Sequence, residues 1–207
     1  MNDPGQPSAP SRRALWDERH AAREPIESPE PDPTLVDEIG SLRPGRALDL
    51  GSGDGRNAIW LASQGWQVTA VDFSQVALDR GRALATARGV RVEWRLADLL
   101  EWSPGVGRFD LVTLFFIHLP PDERRDVYAR AAAAVAPGGT LLIVGHDRTN
   151  LADGVGGPQD PDVLFTSSEV AADLAGFRVD RADVVRRPAP DGRGPIDAIV
   201  RAVRVTG

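Results

Sequence analysis

The stretch Ala47-Leu-Asp-Leu-Gly-Ser-Gly-Asp-Gly-Arg-Asn57 sets three alternate glycines, Gly51, Gly53 and Gly55, between a short apolar run and a second one starting at Ala58. Glycine turns sharply at positive φ and admits a ligand where a Cβ would collide, so a strand, a tight loop and a helix are expected in that order. Asp72 lies 21 residues past Gly51, at the end of Gln67-Val-Thr-Ala-Val71. An acidic side chain at that spacing suits the hydroxyls of a ribose, and the whole describes a nucleotide site.

The dinucleotide fingerprint G-x-G-x-x-G puts its third glycine at position 56, so Arg56 speaks against an NAD-dependent oxidoreductase. An acidic residue followed by G-x-G-x-G is matched throughout by Asp49, Gly51, Gly53 and Gly55. The run resembles motif I of the class I S-adenosylmethionine-dependent methyltransferases. More narrowly, Gly55-Arg-Asn57 before Ala58-Ile-Trp-Leu-Ala62 is similar to the tellurite-resistance (TehB-like) and thiopurine-methyltransferase-like small-molecule branch. Further matches follow in order: Asp98 after the strand candidate 90–96, then Phe109-Asp-Leu-Val-Thr-Leu-Phe115, then Pro137-Gly-Gly139 before Thr140-Leu-Leu-Ile-Val144.

The resemblance implies S-adenosylmethionine as cofactor. By it, Asp49 anchors the methionine ammonium beside the Gly51, Gly53 and Gly55 loop, and Asp72, next to Phe73, takes the ribose hydroxyls. Asp98 and the Leu99 N–H meet the adenine. Of Phe115 and Phe116, which alternate in direction, one packs in the core and the other lines the pocket; Phe115 is the cofactor candidate. Trp16-x-x-Arg19 resembles a pair near the start of that family that covers the cofactor and pairs with its carboxylate, while His20 stands where many relatives have tyrosine.

Composition excludes further chemistry. The 207 residues suit one α/β domain with a sizeable core. The chain has no lysine, which removes P-loop, Schiff-base and lysine-base chemistry, and no cysteine, which removes thiol nucleophiles, disulfides and cysteine-based zinc sites. A formal charge of −6 with scattered arginines argues against a nucleic-acid partner. No run approaches the ~20 apolar residues that cross a bilayer, and the first ten residues lack a signal peptide's apolar core, so a cytoplasmic protein without a membrane partner is expected. Widely separated histidines leave no expected metal site.

Residues 1–11, rich in Pro, Ser and Gly, read as a disordered tail. Residues 12–33 read as a short helix and a proline-rich strap covering the site, and 34–207 as the catalytic domain. Thr34 is expected to cap a helix over 35–42, and Ser74 one whose inward face carries Val76, Ala83, Leu84 and Ala87. Pro120-Pro121 start another, with Val127, Ala131, Ala134 and Val135 inward; Thr166-x-x-Glu169 is a capping box for one that ends at Gly176. Strand candidates 177–187 and 196–205 close the chain as an antiparallel hairpin. The alternation gives an α/β fold with a mostly parallel sheet and helices on both faces; the resemblance supplies a Rossmann-like, seven-stranded order 3-2-1-4-5-7-6.

Such sheets bind ligands beyond the carboxyl ends of their strands, where the flagged residues lie. The expected activity is methyl transfer to a small-molecule oxygen, nitrogen, sulfur or chalcogen nucleophile; the alternative is a non-catalytic protein of the same fold that binds or senses the cofactor. Arg56, Asn57 and His20 are the substrate candidates. His118, His146 and the adjacent Asp147 are the catalytic ones, since an imidazole pKa near ~6.5 suits a base; hydrogen-bonded loop roles are the alternative for each. The breaker-rich loop 154–161 reads as a pocket wall or a plain connection.

Overall fold

β1 (Arg46–Leu50) is the axis about which the chain reverses direction. In the computed structural model, which describes residues 11–22, 30–189 and 192–206, β1 pairs in parallel with β2 (Gln67–Asp72) on one side and with β4 (Phe109–Phe115) on the other. β3 (Val92–Leu96) extends the sheet beyond β2 and β5 (Val135–His146) beyond β4, both in parallel. β7 (Ile196–Arg204) runs antiparallel to β5, and β6 (Phe177–Arg186) pairs antiparallel with β7, giving the expected order β3-β2-β1-β4-β5-β7-β6.

Alternate strand residues serve opposite faces, and each face has its own core. Ala47, Leu111 and Leu142 pack with α2 (Pro33–Ile39) and α3 (Arg56–Ser63) through Leu35, Ile39, Ala58 and Leu61. Leu48, Val112 and Leu141 pack on the other face with α5 (Pro121–Ala134) and α7 (Ser167–Ala172) through Val127, Tyr128, Ala131 and Val170. α4 (Gln75–Ala87) lies over β2 and β3, and α1 (Arg12–Ala22) docks on α4 outside the two layers. A short α6 (Asn150–Asp153) and a 3-10 turn at Pro161–Val163 sit in the β5–α7 connection, where no element was expected. Among the described residues no helix is long and apolar enough to cross a membrane.

Several local expectations need correction. α2 starts at Pro33 and is capped by Asp32, whose carboxylate accepts the Thr34 N–H at 3.0 Å; a proline at the first helical position and an acidic cap outcompete Thr34. α4 is capped by Ser74 as expected, but it buries Ala77, Leu78, Gly81 and Ala85 while Ala83 and Ala87 are exposed. Its face was misjudged because a glycine marks it: Trp94 of β3 packs against Gly81, where a Cβ would lie 2.5 Å from the indole Cη2. β3 begins at Val92 rather than 90, and α7 ends at Ala172 although its capping box is formed. Val135, expected inward on the helix, is buried as the first residue of β5. The tail expected over 1–11, all but its last residue, and most of the strap lie outside the described residues.

Gly81→Ala tests the indole contact. In an open helix interior alanine gains ~1 kcal/mol over glycine; here the change is expected to destabilise by about 1–3 kcal/mol in urea unfolding, and by less than about 1 kcal/mol in a Trp94→Leu background.

Candidate functional site

A cleft of about 520 Å³ opens beyond the carboxyl ends of the parallel strands. Its floor is the loop from β1 to α3, whose Gly51, Gly53 and Gly55 have φ of +67°, +55° and +79°. Asp49, Gly51 and Gly53 line it, as do Asp72 and Phe73 at the end of β2, Asp98 and Leu99 after β3, and Phe115 with Phe116 at the end of β4. His118, His146, Arg56 and Asn57 also face it, and Trp16 and His20 reach it from α1.

Asp49 is 2% exposed; its Oδ1 accepts from the Thr113 hydroxyl at 2.8 Å, while Oδ2 has no hydrogen-bond partner among the described residues. Burial pushes its carboxyl up to about 7, against the opposing pull of the Thr113 hydrogen bond and the Arg56 charge. Asp72 accepts the amides of Gly53 and Ser74, each at 2.8 Å. Burial raises its carboxyl above the ordinary range too, and those two hydrogen bonds oppose the rise. Asp98, exposed, accepts the Leu100 N–H at 2.9 Å and so shapes the turn that presents Leu99.

α1 roofs the cleft. The Ser74 hydroxyl donates to Asp17 at 2.5 Å, Arg80 donates to the Ala21 carbonyl, and Arg12 pairs with Glu123 of α5 at 2.9 Å. His20 is buried over Gly53, a Cβ on which would sit 3.6 Å from the imidazole Cε1. Arg12, Trp16 and His20 recur every four residues and share the cleft-facing side. Arg19 is one position off that stripe: it does not line the cleft, and its guanidinium lies 5.0 Å over the Trp16 ring.

Two more expected site residues stand apart from the cleft wall. Gly55 begins α3 against Trp94, where a Cβ would come within 2.2 Å of the indole, so it serves the turn and packing. Asp147 folds back into its own turn, accepting the N–H and hydroxyl of Thr149 at 2.9 and 2.7 Å. The carboxylate beside His146 is instead Asp197 at the start of β7, with Oδ1 3.0 Å from Nδ1. His118 lines the cleft without the free nitrogen a base needs: its Nε2 accepts the His146 N–H at 3.2 Å, and a backbone hydrogen bond ties it to Phe116. Burial and the neighbouring His146 push its pKa down to about 4. Arg56 and Asn57 face the cleft while gripping Asp32: Arg56 donates to its carboxylate at 3.1 Å, and Asn57 Oδ1 accepts its N–H at 2.9 Å.

Sequence reasoning missed Arg12 and Arg187 on the cleft wall and Asp197 behind it. The signal for the last two was present. With β7 antiparallel, its first residues and the last residues of β6 must fall on the ligand-binding edge.

A family described as "Methyltransferase domain" matches residues 47–139. The ribosomal RNA small subunit methyltransferase C of Alcanivorax borkumensis is 31% identical over 149 residues, 68% of this chain and 42% of its own length. The 2-heptyl-1-hydroxyquinolin-4(1H)-one methyltransferase of Mycobacteroides abscessus is 30% identical over 155 residues, 72% of this chain and 67% of its own. This chain thus spans between 42% and 67% of the length of such curated relatives. The crystal structure of TehB from Haemophilus influenzae superposes with a TM-score of 0.68 at 18% identity, covering 84% of this chain and 62% of that one.

The half-paired carboxylate gives a stability test. A carboxyl at about 7 in the folded chain, against an ordinary 3.8 when unfolded, binds its proton more tightly when folded, so stability is lost as pH rises from about 4 to 7. The full loss is on the order of 4 kcal/mol. Asp49→Asn is therefore expected to melt above the wild type at pH 8 and close to it at pH 5, by calorimetry on the ligand-free protein.

Proposed function

The chain belongs to the class I S-adenosylmethionine-dependent methyltransferase family, and from that premise we propose that it methylates a small-molecule oxygen, nitrogen, sulfur or chalcogen nucleophile held at the end of the cleft away from the glycine loop. The observation that carries this reading is the division of the cleft. One end has backbone that glycine keeps open, the half-paired Asp49 carboxylate and the Asp72 and Asp98 carboxylates; the other has Phe116, His146 and Arg187.

The first end fits the cofactor. Asp49 Oδ2, buried and without a partner, suits the methionine ammonium, and ion pairing there removes the cost of an isolated buried charge. Asp72 oxygens that each hold one amide keep a lone pair for a ribose hydroxyl. Asp98 and the turn at Leu99 suit the adenine edge. When bound, S-adenosylmethionine supplies a methyl group on a sulfonium sulfur that needs no further activation. The work left to the chain is alignment, which can contribute about 7–11 kcal/mol, and exclusion of water, for which α1 is the roof. The acidic chain, at −6, and the roofed cleft favour a small molecule over RNA as acceptor.

Calorimetry is expected to show binding of S-adenosylhomocysteine, weakened at least tenfold by Asp72→Ala and less by Asp98→Ala, consistent with hydrogen bonds to a charged group of about 1.5–3 kcal/mol. Incubation with methyl-labelled cofactor and thiols, phenols, hydroxyquinolines, tellurite and ribosomal RNA is expected to label a small molecule. Binding without any labelled product selects the sensing protein, and labelled RNA alone overturns the acceptor assignment.

A further inference from the structure

The acceptor end of the cleft is built from three strand ends around one buried carboxylate. Phe116, just past β4, has φ of +57°, the only positive value outside glycine among the described residues, and its N–H donates to the Val144 carbonyl at 2.7 Å. Such backbone is costly for a bulky residue, and it fixes where the ring stands on the cleft wall. The Arg187 guanidinium lies 5.2 Å from the centre of that ring. Its Nε is 2.6 Å from Oδ2 of Asp197, which is 2% exposed. The pair is an ion pair without an aligned Nε hydrogen bond, and the two terminal nitrogens carry further donors of a cation that lines the cleft.

Two imidazoles stand nearby on the cleft wall. His118 stacks on His146 at 5.2 Å and 9°, and its Nε2 accepts the His146 N–H. His146 turns Nδ1 to Asp197, and its Cδ2–Nε2 edge lies under Gly157, where a Cβ would come within 2.5 Å of Cδ2 and 2.9 Å of Nε2. His118 Nε2 is taken, and the guanidinium supplies the positive charge on this part of the wall. An acceptor already ionised in solution has no proton to lose, and a stacked guanidinium is the group that would hold it.

We propose that Phe116 and Arg187, with Asp197 as the residue that positions Arg187, form a subsite for a flat aromatic or heteroaromatic acceptor whose nucleophilic oxygen arrives as an anion. The inference rests on the methyltransferase reading for the word acceptor, but the ligand chemistry stands on these residues alone. Flatness follows from the ring and guanidinium that face it, charge from Arg187. Three arginines line the cleft, Arg12, Arg56 and Arg187, and Arg187 is the one stacked on Phe116.

Binding separates this from turnover. The probes are 4-nitrophenol, at a pH where it is ionised, and nitrobenzene, titrated calorimetrically into wild type, Arg187→Gln and Arg187→Lys with and without S-adenosylhomocysteine. The wild type is expected to bind the phenolate at least tenfold more tightly than nitrobenzene. Arg187→Gln should lose that preference while holding nitrobenzene and S-adenosylhomocysteine within about twofold, and Arg187→Lys, which keeps the charge beside Asp197, should recover part of it. Phe116→Leu should weaken both aromatics. Equal wild-type affinity for the two probes, or a preference that survives Arg187→Gln, overturns the proposal. Absence of methylated product with the charge preference intact counts against the methyltransferase reading instead.

Discussion

A single carboxylate ties together the parts that make the cleft. Asp72 accepts the Gly53 amide from the loop after β1 and the Ser74 amide at the start of α4. Ser74 caps α4 through its hydroxyl and donates the same hydroxyl to Asp17 of α1. Floor, wall and roof therefore meet around one buried acid, which desolvation disfavours and two short amide hydrogen bonds hold in place. The sheet order puts that acid beside the reversal at β1, where Asp49 is likewise buried with half its acceptor capacity unused.

Most of the scaffold was legible because apolar periodicity and turn chemistry agree there. β4 occupies Phe109–Phe115, the run read as a strand, and the closing hairpin has the expected pairing. The floor was legible for a stronger reason: three alternate glycines have few uses other than a backbone at positive φ. The α4 face was not, because its contact with Trp94 depends on Gly81, and an absent side chain leaves no hydrophobic signal. Asp147 misled because adjacency to His146 in sequence says nothing about adjacency in space at a strand end, where successive side chains point apart. Asp197, fifty residues further on, is brought opposite His146 by the register of β7 on β5. Arg187 and Asp197 required the topology to be followed to its last strand.

The site also opposes stability. Leaving an oxygen of Asp49 without a partner costs the ligand-free fold free energy that a cation would return on binding, so part of the folding free energy is deferred to the bound state. The positive φ of Phe116 is a second such cost, at the other end of the same cleft. A protein tuned only for its own stability would retain neither.

The attachment of α1 has a kinetic meaning. The sheet is held by two continuous cores, whereas the roof is held to α4 and α5 by polar contacts, one of them the exposed pair between Arg12 and Glu123. Exposed pairs contribute about 0–1 kcal/mol each, and detaching this helix leaves both cores intact. Neither core includes a residue of α1, so a helix attached in this way is expected to open at a lower free energy than the sheet, which faster amide hydrogen exchange over its residues would show. Residence of a molecule beneath it would then be timed by the first dozen described residues, apart from the sheet below.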